Sequence, residues 1–109
     1  MIIIMKTIKL GVADRINIEA FFPKAAGRIE MGLVRDMAKK LAFTPEEVRD
    51  YQMTDGPVGI VRWNVAAEKE IDVDLSQQQI EVLKTGIQRI DEIGEVTLAM
   101  LSLIEKIEN

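Results

Sequence analysis

The chain has no cysteine and no histidine among its 109 residues. Without these side chains it can form neither a disulfide framework nor a zinc site of the usual kind, and it has no thiolate nucleophile and no imidazole acid or base. Any metal would have to be bound through oxygen ligands alone. The absence of cysteine fits a reducing compartment, so we expect the protein to act in the cytoplasm.

Long hydrophobic runs are missing as well. The longest apolar run is far too short to cross a bilayer, so no membrane span is predicted. The start of the chain, Met-Ile-Ile-Ile-Met, lacks the basic region, the long apolar region and the cleavage site of a signal peptide. It predicts the start of a strand, or an upstream start codon ahead of Met5, and no export signal.

Positive charge is in deficit, because 14 Lys and Arg stand against 18 Asp and Glu and give a net charge of −4. A chain of this sign repels phosphate backbones, so a nucleic-acid role would require a local basic patch. The one basic stretch contains Arg35, Lys39 and Lys40. Charge runs of this kind more often form a solvated helix face, so these three residues are weak candidates for nucleic-acid contact.

Apolar periodicity predicts a single α+β domain over residues 1–109, with four to five helices and a small antiparallel sheet or hairpin. The predicted helices have apolar spacing near 3.6, and they cover residues 12–22, 29–41, 44–51, 76–93 and 95–109. The predicted strands alternate with period two, and they cover residues 2–10, 51–54, 58–63 and 71–75. No internal repeat or linker divides the chain.

Several helix ends and buried stripes can be assigned. Capping boxes at Thr44 with Glu47, and at Ser76 with Gln79, predict two helix starts, and Pro23 predicts a helix end. The first predicted helix has its apolar residues at Val12, Ile16, Ala20 and Phe21. The second has them at Ile29, Leu33, Val34, Met37 and Leu41.

Residues 59–75 contain two strand-like runs, and the first run holds the only tryptophan, Trp63. We predict that both runs complete a small core, with Trp63 inside and Arg62 outside. In the second run, Asp72 and Asp74 share one face and have the oxygen ligands of a hard cation. Alternation favours a plain solvent face for this pair, with a salt bridge to Arg62.

Five short motifs occur in the order Asp14-Arg15, Phe22-Pro23, Phe43-Thr44-x-Glu46-Glu47, Arg62-Trp63-Asn64 and Glu70-Ile71. In this order they resemble a family of small uncharacterised proteins encoded by tailed bacteriophages and prophages, from about Lys6 to the C-terminus. The chain departs from the family where it reads KAAGRIE, in place of a Gly-Asn-like turn, and in lacking C-terminal aromatic residues. The resemblance implies a phage accessory protein in a bacterial host cytoplasm, and it supplies no catalytic residue.

The residues separate three classes of function. No glycine-rich phosphate loop or nucleophile motif is present, so we expect no enzyme, no cofactor and no small-molecule substrate. Two helices followed by a hairpin would suit a winged-helix-like DNA-binding regulator, but the second helix of that pair has three carboxylates and one guanidinium, and phosphates would repel it. We therefore predict protein–protein interaction, with DNA binding as the alternative.

The last predicted helix is apolar on more than one side. The side expected to face the core contains Val96, Met100, Leu103 and Ile107, with Ile104 at its margin. Leu98 and Leu101 lie on roughly the opposite side, where exposure would forfeit about 1.5–3 kcal/mol for each side chain. Either the N-terminal strand or the loop at Pro23 covers them, or a partner does, as a homodimer or a host protein. The candidate interaction surface is Leu98, Leu101 and Arg62.

Overall fold

The computed structural model describes residues 5–56 and 61–109. Two small antiparallel sheets are formed, one by β1 (Met5–Leu10) with β4 (Ile71–Ser76) and one by β2 (Thr54–Asp55) with β3 (Val61–Arg62). The five α-helices in this part of the chain are α1 (Val12–Asn17), α2 (Arg28–Leu41), α3 (Pro45–Asp50), α4 (Gln77–Glu92) and α5 (Leu98–Glu108). The predicted α+β class is therefore confirmed.

The first sheet forms one wall of the hydrophobic core. Ile8 lies opposite Val73 and Leu10 lies opposite Ile71, so the apolar side chains of the two strands share one face. Ile8, Leu10, Val73 and Leu75 are buried. Asp72 and Asp74 are exposed on the other face, as the alternation predicts. The part of the predicted first strand that precedes Met5 lies outside the described residues.

Helix α4 lies at the centre of the molecule, against β4, α2, α5 and a 3-10 helix at Ile18–Phe21. The predicted capping box is present, because the Ser76 hydroxyl accepts a hydrogen bond from the Gln79 amide at 3.1 Å and the Gln79 side chain accepts one from the Ser76 amide at 3.0 Å. Gly94 follows the helix with a φ of +70°, a conformation that glycine adopts without strain. Both ends of this helix are as predicted.

The first predicted helix is wrong in its detail. Regular α-helix stops at Asn17 and the chain continues as the 3-10 helix, with Phe22 extended before Pro23. The buried side chains are Val12, Arg15, Ile18 and Phe21, whereas Ile16 is half-buried and Ala20 is exposed. A 3-10 helix has three residues per turn, so residues three apart align along it.

Two further details of the prediction differ from the structure. Helix α2 buries Val34, Met37 and Leu41, but Ile29 in its first turn is 85% exposed, at the lip of a groove between α2 and α4. Tyr51 is buried at the end of α3 and is not part of a strand.

The predicted hairpin is present in a shorter form, with Thr54 opposite Arg62 and Asp55 opposite Val61. The turn after Gly56 lies outside the described residues. The two runs of residues 59–75 belong to different sheets, because β3 pairs with β2 whereas β4 pairs with β1. Among the described residues of these runs, only those of the second run belong to the main core.

Candidate interaction surface

Helix α5 has a completely buried side. Leu103 and Ile107 are 0% exposed, and Val96, Met100 and Ile104 pack partly buried against the core. The helix lies on α1, α4 and β1. The predicted core stripe of the last helix is therefore confirmed.

The outward side of α5 carries two uncovered leucines. Leu98 is 86% exposed and Leu101 is 46% exposed. The sequence leaves two alternatives open for these leucines, cover by the N-terminal strand or the loop at Pro23 and cover by a partner, and no segment within the described residues shields Leu98. Ile93, which follows α4, is 61% exposed. Three large apolar side chains in this last part of the chain thus face solvent.

Carboxylates accompany these apolar side chains. Five acidic residues in the last 19 are exposed, namely Asp91, Glu92, Glu95, Glu105 and Glu108. Glu105 lies one helical turn after Leu101 and therefore next to it on the outward side of α5. Residues 91–109 contain five acidic side chains and one lysine, whereas residues 1–90 contain 13 of each sign. The entire net charge of −4 is located here.

The single lysine of this segment, Lys106, points away from the exposed carboxylates. Its ammonium donates hydrogen bonds to the Lys9 carbonyl at 2.9 Å, to Asp14 at 2.9 Å and to Glu70 at 3.0 Å. Burial alone would lower the pKa of Lys106, but the bonds to Asp14 and Glu70 raise it above its ordinary value. Lys106 therefore joins α5 to β1, to α1 and to Glu70 just before β4, and it leaves the outward carboxylates uncompensated.

Arg62, the third residue of the predicted surface, lies elsewhere. It is exposed on β3, whose partner is β2, whereas Leu98 and Leu101 are on α5. The predicted salt bridge from Arg62 to Asp72 or Asp74 is wrong, since within the described residues neither carboxylate pairs with a basic side chain. Asp74 instead accepts a hydrogen bond from the Thr7 hydroxyl across the first sheet.

Trp63 also differs from its prediction. It directly follows β3, is half-buried and lies outside the main core. Together with Ile16 and Val61 it lines a surface groove of about 210 Å³, and a second groove of about 320 Å³ shares the latter two residues. The buried Trp63 indole nitrogen has no hydrogen-bond partner in the part of the chain that the structure describes. The hairpin forms a separate apolar layer beside α1.

The predicted basic stretch on α2 is partly engaged within the chain. Arg35 is 3.4 Å from its neighbour Asp36, and Lys40 donates a hydrogen bond to the Asp74 carbonyl at 2.6 Å. Lys39 is exposed. The three residues thus include one ammonium that anchors α2 to β4 and one guanidinium beside an opposite charge.

One buried charge was missed by the sequence reasoning. Arg15 is 3% exposed, and its guanidinium donates to the Leu41 carbonyl at 3.1 Å and to the Ala42 carbonyl at 2.7 Å. It also forms a two-pronged ion pair with Glu47, at 2.5 and 3.0 Å, and lies 4.0 Å from the centre of the Phe43 ring. Its hydrogen bond holds the pKa of Glu47 below the ordinary range.

This Arg15 cluster stabilises the fold, since every partner belongs to the junction between α2 and α3. In the residues described, no group of three or more acidic side chains is placed to hold a metal ion. None of the described helices is both long enough and apolar enough to cross a membrane. Comparisons with protein-family models, curated proteins and solved structures found no match to this chain.

Proposed function

We propose that this protein acts without catalysing a reaction, by binding another protein chain through the outward side of α5. The observation that carries the proposal is the exposure of Leu98 and Leu101 on a helix whose opposite side is completely buried. A contiguous apolar patch on the surface of a soluble domain often marks a protein–protein interaction site. The bound chain is either a different protein or a second copy in a homodimer.

The proposed setting is the cytoplasm of a bacterial host, where the protein serves as a phage or prophage accessory protein. The order of its motifs, from Asp14-Arg15 to Glu70-Ile71, supports this setting through the family that it resembles. Small proteins of this kind need only a surface to act, and fold alone does not determine what they bind.

DNA binding is the weaker alternative. The order of α2, α3 and the β2–β3 hairpin favours it, because a winged helix has the same order. Helix α3 has only six residues, however, and its exposed side chains include Glu46 and Asp50. Phosphates would repel this helix from the major groove, so the proposal of protein binding is preferred.

The test compares the wild type with Leu98→Glu combined with Leu101→Glu. We expect the double variant to fold, because exposed positions tolerate substitution within about 0.5 kcal/mol, and to lose association in sedimentation and in affinity capture from the host. Ile29→Glu is the matched control, since Ile29 is 85% exposed on α2. Unchanged association in the double variant, or sequence-dependent DNA binding by the wild type, would contradict the proposal.

A further inference from the structure

We infer that the partner of the α5 surface is a basic amphipathic helix of another protein, and not a second copy of this chain. The inference rests on the proposed function and names the chemistry of the partner. It follows from the charges that surround Leu98 and Leu101, from their position on the helices, and from what a two-fold axis would bring together.

The segment that carries Leu98 and Leu101 is negatively charged. Five exposed carboxylates and one lysine occupy residues 91–109, and Lys106 is already bound to Asp14 and Glu70. Among the described residues, no basic side chain forms an ion pair with any of those five carboxylates. Glu105 and Glu108 lie on the same side of α5 as Leu98 and Leu101, so these leucines are next to carboxylates without a basic partner, and this negative charge attracts a cationic partner.

Four of these carboxylates lie at the C-terminal ends of helices. Asp91 and Glu92 are in the last turn of α4, and Glu105 and Glu108 are in the last turn of α5. The C-terminal end of a helix carries partial negative charge, so acidic side chains there weaken the free protein. Helix stability does not explain their placement, whereas a bound cationic helix would compensate for it.

The same charges oppose a second copy of this chain as the partner. A two-fold axis through α5 would place Leu98 near Leu101 of the partner subunit, and the acidic segments of both copies would meet at the same interface. Like charges across an interface oppose association. A helix with leucines on one side and lysine or arginine beside them would contact the apolar side chains and neutralise the carboxylates together.

A synthetic peptide provides the probe. It has roughly 18 residues, leucine at every third or fourth position and lysine or arginine elsewhere, and a counterpart replaces each basic residue with glutamate. We expect the basic peptide to bind in fluorescence anisotropy, more weakly as salt rises, and the acidic counterpart not to bind. Leu98→Ser with Leu101→Ser should weaken binding at least about tenfold, and Glu105→Gln with Glu108→Gln by up to about fivefold for each charge.

The control removes the same charge elsewhere, through Glu46→Gln with Asp50→Asn on α3, and should leave the affinity unchanged within about twofold. An equal loss in this control, or binding of the acidic peptide, would overturn the inference. Sedimentation separates it from the proposed function. A wild-type dimer that Leu98→Ser with Leu101→Ser dissociates overturns the inference alone, as does a monomer whose peptide affinity is insensitive to these leucines. The proposed function is overturned as well only if Leu98→Glu with Leu101→Glu leaves association unchanged.

Discussion

The guanidinium of Arg15 holds three segments of the chain together. It binds the last carbonyls of α2, where the helix leaves acceptors without partners, and it pairs with the carboxylate that also caps α3. Glu47 therefore serves two functions, since it accepts from the Thr44 amide at 3.0 Å and from Arg15. The sequence predicts only the first, because a capping box is local whereas Arg15 is 32 residues away.

Glu47→Gln should reduce the free energy of unfolding by about 2 kcal/mol near pH 7, because it leaves the buried Arg15 charge uncompensated. The pKa of Glu47 is lowered from 4.5, so the stabilising contribution of the pair is complete above that pH and is lost as pH falls through the lowered pKa. The difference between variant and wild type should therefore shrink in strongly acidic solution. Urea unfolding near pH 7 and in strongly acidic solution measures this difference. Glu46→Gln is the control for removing a carboxylate from the first turn of α3 without breaking the pair with Arg15.

A pH-independent difference would show that Glu47 stabilises the fold through packing and not through its charge.

Among the elements, those defined by local chemistry were predicted well and those defined by distant partners were not. The starts of α3 and α4 follow from Thr44 and Ser76, whose hydroxyls cap the helices within three residues. The 3-10 turn at Ile18–Phe21 depends on packing against α4, which is distant in sequence. The partner of β4 is likewise distant in sequence, since β4 pairs with β1 and not with the nearby β3, so periodicity alone placed Trp63 in the wrong layer.

The close contact between the 3-10 helix and α4 can be tested by substituting a glycine of α4. A Cβ atom added at Gly86 would lie 1.9 Å from the Phe21 carbonyl oxygen, so the two elements would have to separate. Gly86→Ala should therefore cost about 1–3 kcal/mol despite the roughly 1 kcal/mol by which alanine favours a helix. Gly32→Ala in α2 is the control, since nothing lies within 4 Å of its added Cβ, and it should gain about 0.5–1 kcal/mol. Equal thermal stability of the two variants would contradict this packing.

For the whole molecule, the sequence shows how charge is divided along the chain. It does not show which charged side chains lack an ion-pair partner or which apolar side chains stay uncovered. The excess of acidic residues beyond residue 90 can be counted directly. The inward orientation of Lys106 cannot be predicted from the sequence, because it depends on β1, α1 and Glu70 meeting at one point. Likewise, periodicity places Leu98 and Leu101 opposite the core stripe, and only the assembled fold shows that no described segment covers Leu98.

Glu105→Gln with Glu108→Gln should make the free protein more stable, because the two changes remove negative charge from the negative end of the α5 dipole and end the repulsion between these two neighbouring carboxylates. We expect each change to raise the free energy of unfolding by about 0.3–1 kcal/mol at low ionic strength, with less effect as salt screens the charges. Thermal unfolding at low and high salt measures this. Glu46→Gln is the opposite control, because its carboxylate lies at the positive end of α3 and its removal should lower the melting temperature. A less stable double variant would mean that these carboxylates stabilise the free chain, and their placement would then need no cationic partner.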